Sequence, residues 1–335
     1  MNWFLSALIC VFGWGCADLF YKSGSSENDR YSHLKIAVWV GLVMGIVSLL
    51  LFPRSESQLT LATIPQKALI YAPASLGYIV SMVIGYAGLR YLELSIASPI
   101  QNASGALTVA SMCVFYLITG RAGKIQDAFG PLDIIGTVII IAGTVALAFA
   151  ERRSAELQRD KEAAASGTGK TGMADSGVSD RKYRTGALAL LFPVLYCVFD
   201  TLGTAADGVI LDEGSGSGLG EFDVLILYGL MFLAAGIVCY IVLWAKEKKP
   251  YNPFAKSEWP KAAAAVCEQF GQIFYVFAMA ANPLMAAPMV ASYCILSVVL
   301  SRVFLKEKPE RGQAICVAAV IAGIVLLGIS EGLSA

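Results

Sequence analysis

GYAGLRYLELSIASPIQNASG (85–105) lies over FYVFAMAANPLMAAPMVASYC (274–294) without a gap, and this pairing decides how the chain is read. Tyr86 falls on Tyr275, Pro99 on Pro288 and, in the same register, Phe115 on Phe304. The correspondence extends outward in both directions. IAGT (141–144) meets IAGI (321–324) after a short insertion in the first copy. Upstream, Trp14-Gly-Cys-Ala-Asp18 meets Tyr196-Cys-Val-Phe-Asp200, and Gly41-Leu-Val-Met44 meets Gly229-Leu-Met-Phe232. The chain therefore reads as two copies of one unit, residues 1–150 and 185–335, on either side of a segment at 151–184.

Composition says what kind of unit this is. Of 335 residues, 57% are hydrophobic and 15% charged, with a mean hydropathy of +0.66. A soluble domain carries about 25% charge. Lys+Arg and Asp+Glu are 25 each, so no basic excess exists to draw in nucleic acid. All eight cysteines lie in apolar runs without CxxC spacing, and His33 is the only histidine. A disulfide framework and a zinc site are both disfavoured, and no cofactor is implied.

Apolar runs long enough to cross about 30 Å of hydrocarbon fall at 2–21, 34–52, 68–89, 94–118 and 132–150 in the first copy. The second copy repeats them at 185–206, 222–245, 260–280, 284–305 and 312–330. A backbone in lipid must satisfy its hydrogen bonds within each segment, and the alternation of a β-barrel is not seen. The expected fold is an all-α polytopic membrane protein with ten transmembrane helices as two inverted five-helix repeats. Five is odd, so the second copy inserts upside down relative to the first. Inverted repeats are a common architecture of secondary transporters, which hold substrate near the midplane between the halves.

The segment 151–184 is polar, charged and rich in Gly, Ser and Ala, and reads as a flexible linker. Within it, Ala164 to Thr171 fits a loose P-loop pattern ending Gly169-Lys170-Thr171. A working P-loop follows a buried strand and opens a helix. Neither is expected here, so the match is read as chance. Lys and Arg number 19 in the loops after odd helices and the linker, against 4 after even ones. The positive-inside rule then places the linker in the cytoplasm and both termini outside.

Charged and amide groups inside these runs need a reason, since a charge at bilayer centre costs at least about 2.5–3.5 kcal/mol. Trp14, Asp18 and Tyr21 share one helix face at i, i+4, i+7. Tyr196 and Asp200 repeat that face in helix six, with Asp207 expected at the interface. Glu268, Gln272 and Tyr275 form a third such stripe in helix eight. Helix four offers Gln101, Ser104, Thr108 and Ser111, with Asn102 beside them, and helix nine offers Tyr293 and Ser297. These side chains are the candidate substrate cavity. One or more of Asp18, Asp200 and Glu268 would bind a cationic group or a coupling proton. Structural alternatives stand beside this reading. Asp18 can pair with Lys22 at the interface, Glu268 can bond a neighbouring helix, and small hydroxyls serve helix packing. Trp3, Trp39, Trp244 and Trp259 lie near helix ends, where aromatic rings anchor at the interface.

The five-plus-five arrangement resembles the drug/metabolite transporter superfamily, and its EamA-type branch in particular. So do the Trp14-Gly15 pair followed by Lys22, the small-residue fourth and ninth helices, Phe304-Leu-Lys-Glu307 and the Ile-Ala-Gly of helices five and ten. The resemblance implies an integral protein of the plasma (inner) membrane. It also implies a cavity lined by both halves, and export or exchange of a small metabolite (amino acid, sugar or amine) by alternating access. The expected partners are a small-molecule substrate, a coupling proton and the lipid bilayer, with no nucleic acid. No nucleophile–base pair is visible, so an enzyme is not expected. A membrane-embedded enzyme or a non-transporting receptor with a similar bundle is the alternative.

Overall fold

The computed structural model describes residues 2–25, 29–91, 94–165, 191–305 and 311–334, and the secondary structure among them is helical throughout. The first half contains α1 (Trp3–Gly24), α2 (Ser32–Leu51), α3 (Ile64–Gly88), α4 (Leu94–Asn102), α5 (Ser104–Ile118), the short α6 (Gly123–Ala128) and α7 (Pro131–Ala165). The second contains α8 (Leu191–Ile210), α9 (Glu221–Glu247), α10 (Trp259–Ala281), α11 (Pro283–Ala291), α12 (Tyr293–Leu305) and α13 (Arg311–Ser334). Among the described residues, eight stretches are long and apolar enough to cross a membrane. The other two expected crossings are α7, apolar over Pro131–Leu147, and α8, whose apolar run is interrupted by Asp200 and Asp207.

Two features differ from the sequence reading. The flexible linker was expected to begin at 151, but α7 continues to Ala165. The added residues, ERRSAELQRDKEAAA, are nearly all strong helix formers, and this propensity outweighs the polarity that suggested a linker. The rest of the linker, with Lys170, lies outside the described residues. The fourth and ninth apolar runs are also each broken in two. α4 gives way to α5 at Ala103, and α11 to α12 at Ser292, positions that the repeat superimposes. Both breaks are closed by equivalent tight turns. Ala103 N donates to Ile100 O and Ala106 N to Ala103 O, while Ser292 N donates to Met289 O and Ile295 N to Ser292 O. Each break comes four residues after Pro99 or Pro288, whose missing donor loosens the turn that precedes the proline.

The helices pack as antiparallel pairs across the two halves: α1 with α10, α2 with α9, α3 with α8, and α7 with α13. Glycines set these contacts. A Cβ on Gly41 would strike Phe232 O and Gly236, and one on Gly229 would strike Met44 O and Ser48. The repeat maps Gly41, Met44 and Ser48 onto Gly229, Phe232 and Gly236, so the same contact is made in both directions. α7 and α13 do likewise: Gly143 meets Val320 and Cys316 O, while Gly323 meets Ile140 and Gly136 O.

The loops gather at two ends of the bundle. At one end Ser55 and Ser57 bond Asp223, Lys67 bonds Gly218 O, and Arg121 and Lys124 pair with Asp212. At the other end Lys22 donates to Leu89 O, Lys35 bridges Asp29 and Glu247, and Glu258 joins Tyr251 to Lys261. Trp3 belongs to the first end, where its indole donates to Glu331. It is buried, so it is a packing residue and not a lipid-facing anchor, whereas Trp244 and Trp259 are exposed as an anchor requires.

Candidate functional site: a cavity between the two broken helices

One cavity, with about 780 Å³ of space counting the part open to solvent, lies where α1, α3, α8 and α10 surround the two helix breaks. It takes up the half of the bundle nearer the Lys22–Leu89 end. Its wall on α1 runs from Trp14 to Tyr21, the last half of that helix, and its wall on α3 from Tyr78 to Leu89. The breaks put side chains of four short helices into the same space. Gln101 and Asn102 close α4, Ser104 and Gly105 open α5, and Ala291 and Tyr293 flank the second break. Gly105 allows the crossing, since a Cβ there would overlap Ala291 and approach Ala287 O at 3.0 Å.

All ten candidate residues line this cavity: Trp14, Asp18, Gln101, Asn102, Tyr196, Asp200, Glu268, Gln272, Tyr275 and Tyr293. The three carboxylates are held differently. Asp18 Oδ2 accepts from Ser98 Oγ and Ser297 Oγ, both at 2.8 Å, so α4 and α12 fix it jointly. The expected pairing with Lys22 is not what holds it. Asp200 Oδ2 accepts from Ser104 Oγ at 2.6 Å, at the first residue of α5. Glu268 is 8% exposed, and among the described residues its carboxylate has no hydrogen-bond donor, so the neighbouring-helix bond expected as its structural alternative is absent there. Ser98, Ser104 and Ser297 are thus more than packing surface, because each hydroxyl orients a cavity carboxylate.

Aromatic rings form the rest of the wall. Trp14 stacks on Tyr275 at 5.1 Å between centroids, meets Tyr293 edge-on at 5.7 Å, and donates from Nε1 to Glu268 O at 3.2 Å. It fits because Gly271 lies beneath it, and a Cβ there would overlap the indole. Tyr86 donates to Tyr21 Oη at 3.1 Å. Among the described residues the lining includes no lysine, arginine or histidine. No group of His, Cys, Asp and Glu among them is arranged to hold a metal ion.

Three lining tyrosines, Tyr78, Tyr86 and Tyr228, were missed in the sequence. Tyr78 shares a 2.5 Å hydroxyl contact with Tyr275 and donates to Thr204 Oγ1 at 3.2 Å, forming the cavity floor. Tyr228 packs edge-on against Tyr78 at 5.8 Å. Tyr71, Tyr78 and Tyr86 follow at seven- and eight-residue spacing on one side of α3, a polar-tipped stripe that was legible as a signal. Asp207, expected at the interface, is instead completely buried. It lies two turns beyond Asp200 on the inner face of α8, so helical periodicity carries it inward.

Residues 189–329 match the family model described as "EamA-like transporter family". No curated protein matches the sequence. A solved crystal structure superposes with a TM-score of 0.60 over 98% of this chain and 97% of its own, at 15% identity. At that identity the likeness concerns the fold alone. The all-helical bundle and its apolar spans make the chain a multi-pass membrane protein, and its second half is similar to the EamA-like transporter family.

Proposed function

We propose that the protein is a ten-helix, inverted-repeat secondary transporter whose substrate is a small organic molecule carrying a positively charged amine. The carrying observation is the cavity's charge. Asp18, Asp200 and Glu268 converge on one space with no basic lining residue among those described, and the remaining walls are aromatic. Carboxylates neutralise an ammonium group, and ring faces attract it through their quadrupoles, worth about 2 kcal/mol or more when desolvated. Gln101 and Asn102 supply donors and acceptors for the rest of the molecule.

The reciprocal glycine contacts and the equivalent breaks in the fourth and ninth runs support the inverted repeat, with α4/α5 and α11/α12 as its discontinuous helices. The cavity reaches toward one end of the bundle. The other end is shut by the Tyr78–Tyr275 floor and, beyond it, the Arg121 and Lys124 bridges to Asp212. In alternating access these contacts part as the open end closes.

The test of substrate class is thermal stability of purified protein against panels of amines, amino acids, sugars and carboxylic acids. A ligand that binds only the folded state raises the melting temperature by mass action. Amines should raise it and carboxylic acids should not. Stabilisation confined to anions or sugars would overturn the reading.

The charge rule gives the orientation, with the end holding Lys22, Arg90 and Lys261 cytoplasmic. A green fluorescent protein fused after Ala335 should then stay dark in a bacterial host that exports it unfolded. Bright fluorescence would place that end in the cytoplasm and reverse the assignment.

A further inference from the structure

Asp207 lies outside the cavity, on the far side of its tyrosine floor, and nothing in the amine-binding role uses it. It is 0% exposed, and neither carboxylate oxygen has a hydrogen-bond partner. Three phenols face it: Tyr71 and Tyr78 from α3 and Tyr275 from α10. The Tyr71 hydroxyl is itself buried without a partner. Among the described residues no basic group faces the carboxylate. At neighbouring Gly208 the contacts are Met112 of α5 and Pro283 of α11, neither of which titrates. The nearby bases Arg121 and Lys124 are taken by Asp212. A carboxylate this deeply buried, with phenols but no counter-charge beside it among the described residues, takes up a proton or draws in a cation. The surrounding groups suit a proton, because a phenol accepts from a carboxyl and donates to a carboxylate with one atom. A dehydrated metal cation needs about six oxygen ligands, and this cluster has fewer.

We infer that Asp207 is the site of a transported proton, separate from the amine cavity and joined to it by the Tyr78–Tyr275 hydroxyl pair. This rests on the transport reading above. A proton leaving the Asp207 carboxyl passes to one phenol oxygen as that phenol gives its own proton to the next hydroxyl. Each tyrosine ends neutral, Asp207 ends as a carboxylate, and one proton arrives at the cavity. Proton and amine then occupy opposite sides of the same floor, an arrangement fit for exchange.

The direct test is infrared difference spectroscopy of the purified full chain as pH is stepped from acid to alkaline. Wild type should show a protonated-carboxyl C=O band that vanishes in Asp207→Asn and returns, shifted, in Asp207→Glu. Spectra unchanged by either substitution would overturn the proposal. In vesicles, tetramethylammonium exchange at equal internal and external pH should survive in Asp207→Asn, while accumulation driven by a pH gradient should be lost. Gradient-driven accumulation that persists in Asp207→Asn would also overturn it. If wild type moves no tetramethylammonium, the substrate reading is at fault, and the infrared result still decides the proton site.

Discussion

Glu268→Gln should weaken amine binding by about 10- to 100-fold, with little change in the melting temperature of the unliganded protein. The carboxylate is nearly buried, and among the described residues no donor satisfies it, so on the proposed function an ammonium group would be its partner. A hydrogen bond to a charged group is worth about 1.5–3 kcal/mol, which sets that range of affinities. Gln keeps the shape and removes the charge. Asp200→Asn should cost less, because Ser104 already satisfies one of its oxygens and would still bond the amide. Asp18→Asn should be mildest, since two serines hold Asp18 in its wall. Amine titrations of the three variants by calorimetry measure the order. The loss for Glu268→Gln should be the same with and without a pH gradient, because the proton is assigned to Asp207. Wild-type affinity in both Glu268→Gln and Asp200→Asn would end the carboxylate account and move the site to the Gln101–Asn102 amides.

Gly13→Ala and Gly271→Ala should both destabilise the protein, and Gly271→Ala should also impair binding. A Cβ on Gly13 would sit 2.8 Å from the backbone N and Cα of Gly271, so α1 and α10 must separate. Overpacking of this kind costs about 1–3 kcal/mol, a fall of several degrees in melting temperature. A Cβ on Gly271 would meet the Trp14 indole and push it from its stack on Tyr275. The aromatic wall then moves along with the helix. Gly312→Ala is the control, since a Cβ there has nothing within 4 Å. Thermal melts showing Gly13→Ala no less stable than Gly312→Ala would mean that α1 and α10 do not approach so closely.

The helical spans were legible because the membrane imposes one rule on all of them, the burial of every backbone donor within a helix. The cavity was legible for the converse reason. Asp18, Asp200 and Glu268 stand out in lipid, and helical periodicity attaches Trp14, Tyr196, Gln272 and Tyr275 to the same faces. What periodicity does not encode is contact between helices. That Ser98 and Ser297, from opposite halves, both bond Asp18 depends on how two broken helices cross, and Gly105 controls that crossing only through the close approach of Ala291. The breaks themselves lie four residues after Pro99 and Pro288, beyond the turns those prolines loosen, so the prolines marked the region without marking the residue. Asp207 was misplaced because it lies near the end of the apolar run, while helical periodicity from Asp200 turns it inward against Tyr71, Tyr78 and Tyr275. The end of α7 was misread because charge and helix propensity point opposite ways in residues 151–165, and propensity prevailed.

The central claim, that the carboxylate cavity carries an organic cation across the membrane, is tested most directly by reconstituting the protein in liposomes and measuring radiolabelled tetramethylammonium uptake against the same cation trapped inside. Wild-type vesicles should accumulate label by exchange, empty vesicles should not, Glu268→Gln vesicles should need about 10- to 100-fold more cation for the same rate, and the label should be recovered chemically unchanged. Uptake no faster than in empty vesicles, or equally fast in wild type and in the Glu268→Gln, Asp200→Asn double variant, would contradict the account.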